Sequence, residues 1–140
     1  MYGTYAHTMD KKGRLFIPAK LREKMGDKLI VCKGLDGNCC LSVYSEEEWN
    51  KLTDKIKALP KSRARKLELF LYPSASDLEC DATGRVIIPQ ILRDYAGLEK
   101  NVSIIGLSDH AEIWDESRFS GEQEATTPES IAKLMEEIDF

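Results

Sequence analysis

The apolar positions change period several times along this chain, and they do so in the same order twice. Tyr5-Ala6-His7-Thr8-Met9 has strand character, Asp10-Lys11-Lys12-Gly13 interrupts it with turn residues, and Arg14-Leu15-Phe16-Ile17 resumes it. Pro18 falls where a helix would begin, with φ already set for a first turn, and Leu21 and Met25 recur at helical spacing before Gly26 ends the segment. Leu29 to Cys32 and Cys39 to Tyr44 read as strands joined across a turn at Asp36-Gly37. The succession then returns as Ser76 to Cys80, the turn Asp81-Ala82-Thr83-Gly84, Arg85 to Ile88, a short helix from Pro89 to Gly97, and strands at 102–105 and 110–114 joined at Ser108-Asp109. Each unit is ββαββ.

The register between the units is constant. Asp10/Asp81, Gly13/Gly84, Arg14/Arg85, Pro18/Pro89, Leu21/Leu92, Arg22/Arg93 and Gly26/Gly97 are all 71 residues apart. Two copies of one supersecondary unit, each too small to bury a core alone, predict one pseudo-symmetric body that presents two related loops.

Between the copies, Ser45 followed by Glu48 is a capping box, and Trp49, Leu52, Ile56 and Leu59 form a helical stripe that stops before Pro60. A second helix is expected from Ser62 to about Leu71, which makes 45–72 a helical hairpin. After the second copy, 115–119 reads as only the stub of such a helix, with a loop over 120–125. Thr127 and Pro128 then open a last helix with Ile131, Leu134, Met135 and Ile138 on one side. The chain divides as repeat one 1–50, helical linker 51–74, repeat two 75–119, and a C-terminal loop and amphipathic helix 120–140.

Composition narrows the class. The 140 residues, 42% hydrophobic, suffice for one compact body with a modest core. No stretch approaches the ~20 apolar residues of a membrane span, and the N-terminus lacks the apolar centre of a signal peptide, so a cytosolic protein is expected. Cys32, Cys39, Cys40 and Cys80 form no CxxC pair and read as reduced, mostly buried thiols. Together with His7 and His110 they match no ligand spacing, so no metal and no cofactor is expected. The chain shows no phosphate-cradling loop and no nucleophile elbow, so no catalytic residues are assigned and an enzyme is not expected.

Charge adds an asymmetry that the net value of −4 conceals. Residues 1–66 carry 15 Lys/Arg against 8 Asp/Glu, a surplus of +7, whereas residues 67–140 carry 5 against 16, a balance of −11. Local field rather than net charge steers a polyanion, so a basic face on an acidic body is compatible with nucleic acid. Solvated charge that only maintains solubility is the plainer reading.

The turn chemistry accounts for Asp10, Asp81, Gly13 and Gly84, since Asp bonds the backbone two residues on and Gly supplies a positive φ. It does not account for Arg14 and Arg85, which reach either toward a ligand or back to Asp10 and Asp81. Arg22 and Arg93 divide between an ion pair with a neighbouring acid and a nucleic-acid contact. Arg63, Arg65 and Lys66 form a cationic helix face suited to flanking phosphates or, preferably, to the acidic half of a neighbouring copy. His7 reads as a structural hydrogen-bond donor, and Trp49, Trp114 and Phe119 as packing residues.

The phrases His7-Thr8-Met9-Asp10-Lys11-Lys12-Gly13-Arg14-Leu15-Phe16-Ile17-Pro18 and Asp81-Ala82-Thr83-Gly84-Arg85-Val86-Ile87-Ile88-Pro89, with Leu92, Gly97 and Glu112-Ile113-Trp114, closely resemble the MraZ family over roughly residues 1–119. That family lies in the AbrB/SpoVT-type swapped-hairpin superfamily. The resemblance implies an α+β, mainly β fold, a pseudo-twofold swapped-hairpin β-barrel built from the two tandem repeats. It implies a transcriptional regulator, a repressor in the favoured reading, that binds direct repeats in double-stranded DNA at the promoter of the division and cell-wall gene cluster. It further implies a ring-shaped homo-oligomer, nucleoid association in the cytoplasm, and DNA contact through Lys11, Lys12, Gly13 and Arg14 of loop one and Gly84 and Arg85 of loop two. Loop one, with three cations, is expected to dominate. No small-molecule effector is implied. The rival readings are a structural or protein-interaction ring without DNA recognition and an antitoxin-like AbrB relative.

Overall fold

A computed structural model describes residues 1–138. The first repeat supplies β1 (Tyr2–Thr8), β2 (Arg14–Phe16), α1 (Ala19–Met25), β3 (Lys28–Lys33) and β4 (Leu41–Ser45). A linking pair follows, α2 (Glu46–Lys57) and α3 (Lys61–Leu71), and then a single 3-10 turn, Tyr72–Ser74. The second repeat supplies β5 (Ser76–Glu79), β6 (Arg85–Ile87), α4 (Gln90–Ala96), β7 (Asn101–Leu107) and β8 (Ala111–Asp115), and the chain continues into α5 (Glu116–Ala125) and α6 (Pro128–Met135). The fold is α+β with antiparallel sheets. No described helix is long and apolar enough to cross a membrane.

Local signals place the helix ends. Ser45 Oγ accepts the Glu48 N–H at 3.2 Å and Thr127 Oγ1 accepts the Ser130 N–H at 3.1 Å, which satisfies otherwise orphaned amides of α2 and α6. Pro18 and Pro89 stand one position earlier than expected, as the residues that precede α1 and α4. The expected stub at 115–119 is instead the start of a full helix, α5, through Ala125. Gly121 reads as a breaker, but the Glu-Gln-Glu-Ala run behind it consists of good helix formers that carry the turn through.

The pairs joined at Asp36-Gly37 and Ser108-Asp109 form as expected, β3 with β4 and β7 with β8, but the strands on either side of each Asp-x-x-Gly turn do not pair as the hairpin that such a turn predicts. The turns do close, since the Asp10 and Asp81 N–H groups donate to the Arg14 and Arg85 carbonyls at 3.2 and 2.9 Å. Beyond them the strands part. Instead of pairing with β2, β1 runs against β7 from Tyr2↔Leu107 to Thr8↔Asn101, while β2 pairs with β6 and β5 with β3. An Asp-x-x-Gly turn fixes only a reversal, and burial of the apolar faces selects the partner.

The resulting order is β1-β7-β8-β4-β3-β5 in one sheet and β2-β6 in another. It is a palindrome: exchanging each strand for its counterpart in the other repeat returns the same order read backwards, with the axis between β8 and β4. The ladders do not close into the continuous barrel that was expected, because β1 and β5 end the six-stranded order.

One core serves both repeats. Leu15, Ile17, Leu21, Leu29 and Val31 pack in one cluster with Val86, Ile88, Leu92, Val102 and Ile104, all at most 2% exposed. Behind β3, the α2–α3 pair buries Cys32, Ile56, Ala64 and Leu71, with Trp49 and Tyr72 against them. Phe119 of α5 packs on Trp114, ring centroids 5.8 Å apart.

Candidate nucleic-acid interface

The two Asp-x-x-Gly turns have one geometry with different side chains. In loop one, Asp10 Oδ1 accepts the N–H groups of Lys12 and Arg14 at 3.0 and 2.9 Å, and Gly13 N–H donates to the Asp10 carbonyl at 3.0 Å. In loop two, Asp81 Oδ1 accepts the Thr83 N–H at 2.8 Å, the Thr83 hydroxyl at 2.7 Å and the Arg85 N–H at 2.9 Å. Donors aimed at the ionised oxygens hold both carboxyls below the ordinary Asp value. For Asp10 the Arg14 amide is the largest cause, and for Asp81 it is the Thr83 hydroxyl.

Gly13 and Gly84 both sit at φ +84°, and here the missing Cβ is a requirement. A Cβ on Gly13 would fall 2.7 Å from the Ile88 carbonyl oxygen and 2.8 Å from the Arg93 guanidinium carbon, and one on Gly84 would fall 2.8 Å from that of Arg22. Each turn is thus wedged against the other repeat. The Ile88 N–H donates to the Gly13 carbonyl at 2.8 Å and the Ile17 N–H to the Gly84 carbonyl at 2.9 Å.

Arg22 and Arg93 complete this crossing. Arg93 donates from Nε to the Ile88 carbonyl at 2.9 Å and from Nη1 to the Lys11 carbonyl at 3.3 Å. Arg22 donates from Nε to the Ile17 carbonyl at 3.0 Å, and its guanidinium carbon lies 5.6 Å from the Phe16 ring centroid. The even division between an acid partner and a ligand contact omitted this arrangement, in which each arginine holds backbone and lies against the other repeat's loop. No local pattern in the sequence announces a contact between residues 82 positions apart.

Register places the candidate cations on the β2–β6 ribbon. Arg14 faces Ile87, Leu15 faces Val86 and Phe16 faces Arg85. Leu15 and Val86 point into the core, so the pleat turns Arg14, Phe16, Arg85 and Ile87 outward. The two arginines are diagonal neighbours across the pseudo-twofold centre. They differ in one respect: Arg14 pairs through Nε with Asp10 Oδ2, whereas the Arg85 side chain has no ion pair among the described residues. Lys11, Lys12 and Arg14 are exposed at one end of this ribbon, and Arg85 is exposed at the other, across from Phe16. His7 packs its ring 5.3 Å from that of Phe16.

Elsewhere, all four cysteines are free, with Cys32 and Cys40 buried, Cys80 half-buried and Cys39 exposed. Burial pushes the Cys32 thiol up to about 12. Asp36, Cys40 and Glu112 bring one donor atom each to within 4.8 Å, a grouping invisible in the sequence because β4 and β8 come from different repeats. Burial first, then Glu112 and Asp36, raise the Cys40 thiol, so it stays protonated, while Glu112 Oε1 accepts the Trp114 indole N–H at 2.9 Å.

These features define a duplicated α+β protein whose two halves share every sheet and whose exposed ribbon carries the cations. Residues 1–69 and again 71–138 match the family described as "MraZ protein, putative antitoxin-like". A protein named transcriptional regulator MraZ from Acetivibrio thermocellus is 47% identical over 139 residues, covering 96% of this chain and 95% of its own. Its namesake from Heliobacterium modesticaldum is 46% identical over 142 residues, covering 99% and 96%, and that from Ligilactobacillus salivarius 45% identical over 143 residues, covering 99% and 96%. The chain belongs to the MraZ family, which is one of transcriptional regulators and not of enzymes.

Proposed function

We propose that this chain is a sequence-specific DNA-binding transcriptional regulator, a repressor that binds direct repeats in the promoter of the division and cell-wall gene cluster. It works in the cytoplasm at the nucleoid, as a ring-shaped homo-oligomer. The observation that carries the reading is the outward face of the β2–β6 ribbon, with Arg14 and Arg85 on its diagonal and Lys11 and Lys12 at its end. The relatives' names supply the class of activity. The architecture that fits is the swapped-hairpin one, with residues 1–50 and 75–119 as its two units, 51–74 as the link and 120–140 as the tail.

A two-stranded ribbon fits the major groove, which is about 12 Å wide. Diagonal positions on such a ribbon lie roughly 7–8 Å apart, about two base steps at ~3.4 Å each. Arg14 and Arg85 are therefore spaced to address bases two steps apart, each bidentate contact to guanine discriminating by ~1–3 kcal/mol. Gly13 and Gly84, whose missing Cβ atoms face the other repeat, seat the turns that present the loop backbone to the phosphates, and Lys11 and Lys12 act there as point charges. An acidic protomer with few loop cations binds a polyanion weakly, and several copies on repeated boxes raise the avidity by ~10²–10⁴.

The test is salt-dependent binding of wild type, Arg14→Ala and Arg85→Ala to DNA with several direct repeats and with one. The expected result is steeply salt-sensitive binding that needs several repeats and collapses in both variants. Equal weak binding by all three to both DNAs overturns the reading and leaves the Arg14–Asp10 pair as a purely structural contact.

A further inference from the structure

Among the described residues, nothing covers the apolar side of α6. Ile131, Leu134 and Met135 lie at i, i+3 and i+4 of α6 and so share one side, Ile138 follows in the turn after it, and the four are 43%, 56%, 37% and 52% exposed. Every described residue from 120 onward is exposed. A free helix of eight residues falls well short of the ~12–15 that are marginal in water, so α6 needs a surface to stand on.

A matching surface lies on α3. Ser62, Arg65, Lys66 and Leu69 share its outward side at helical spacing, with Leu69, 58% exposed, at the C-terminal end and Phe70 beside it, and with Arg63 at the margin. None of Arg63, Arg65 and Lys66 has an ion pair among the described residues. The charges are opposite: α3 holds four cations against Glu68, whereas α6 and the turn after it hold Glu129, Glu136 and Glu137 against Lys133.

We propose that the α6 stripe of one copy docks on the α3 face of a second copy, Leu134 and its neighbours against Leu69 and the glutamates against Arg63, Arg65 and Lys66. The inference rests on the oligomeric reading above and names the surfaces that build it. The two patches differ, so the contact is heterologous. A docked pair leaves the acceptor face of one copy and the donor face of the other free, and the contact repeats until the rotation closes it.

Native mass spectrometry and light scattering on the full chain test this with Leu69→Asp and Leu134→Asp, both at exposed positions. Each variant alone is expected at the protomer mass. Their mixture retains one intact donor and one intact acceptor, and it is expected to give dimers and nothing larger. The double change Arg65→Glu/Lys66→Glu is expected to raise the concentration needed for assembly about tenfold or more, and it decides the matter if either Asp variant loses its circular dichroism. A wild type at protomer mass, a Leu134→Asp variant that keeps the wild-type mass, or a mixture that stays at protomer mass each overturns the proposal. Loss of DNA binding alone, with the mixing result intact, faults the DNA reading and leaves the docking in place.

Discussion

The guanidinium of Arg93 lies against Gly13, where a Cβ would come within 2.8 Å of it, and Arg22 stands in the same relation to Gly84. Each arginine belongs to the repeat opposite the loop that it backs. A loop cation is held out toward its ligand only if the turn beneath it is stiff, and this stiffness is supplied across the pseudo-twofold.

The two glycines are not equivalent under substitution. Gly13→Ala meets the Ile88 carbonyl, a backbone atom, at 2.7 Å, whereas the nearest atoms to Gly84→Ala all belong to the flexible Arg22 side chain. Both place Ala at φ +84°, a strain of order 1–3 kcal/mol. Urea denaturation should show both variants destabilised and Gly13→Ala the more so. Equal losses would mean that Ile88 yields as easily as Arg22 does.

Leu15 faces Val86 at the centre of the ribbon and is fully buried. Leu15→Ala should cost about 2–5 kcal/mol in denaturant titrations. It should also reduce DNA affinity at temperatures where the variant remains folded, since the ribbon's outward side chains ride on that contact.

Asp10 and Asp81 have folded pKa values below the ordinary 3.8. A lowered pKa contributes stability that is fully present above the unfolded value and lost as pH falls through the folded one. The stability difference between wild type and Asp81→Asn should therefore be constant near neutral pH and shrink below about pH 4. Paired denaturation curves at pH 7 and pH 3 check this.

His110 behaves in the opposite sense. Glu112, the leading cause, and Asp109, whose Oδ1 lies 2.7 Å from Nδ1, raise its pKa above the ordinary 6.5 against burial, while Tyr44 stacks on the ring at 5.3 Å. The protonated form's contribution is complete below that unfolded value and disappears as pH rises through the folded one. Wild type should exceed His110→Gln in melting temperature at pH 6, with the gap closing in more alkaline buffer. A gap independent of pH would show that the ring acts by packing alone.

What the sequence discloses here follows the range of the force involved. The turns at Asp10 and Asp81, the Ser45 and Thr127 caps and the short helices after Pro18 and Pro89 are legible because each depends on residues within four positions. So are the β3–β4 and β7–β8 pairs across their short turns, but pairing between the repeats is not: the motif shows that the chain reverses at Gly13, yet the partner of Leu15 is Val86, chosen by shared burial across 71 residues. The loop cations are legible by type and position, yet the Arg14–Asp10 pair beside an untethered Arg85 is a property of the folded turn. Loop one has more charge, whereas loop two has the arginine with no ion pair among the described residues. The roles of Arg22 and Arg93 and the convergence of Asp36, Cys40 and Glu112 need the interleaved topology before they can be stated at all.

The palindromic strand order also bears on how the molecule is made. While a ribosome extends the chain at ~5–20 residues per second, Leu15 waits roughly 4–14 s for Val86 to be synthesised, and β1 waits longer still for β7. Through that interval the nascent first repeat has helices and turns but no completed sheet, and its apolar faces are available to chaperones or to a sibling chain on the same message. A message cut short before β8 yields no half-active product. The duplicated gene has thus become indivisible, its two copies bound to a single fate by the ladders they share.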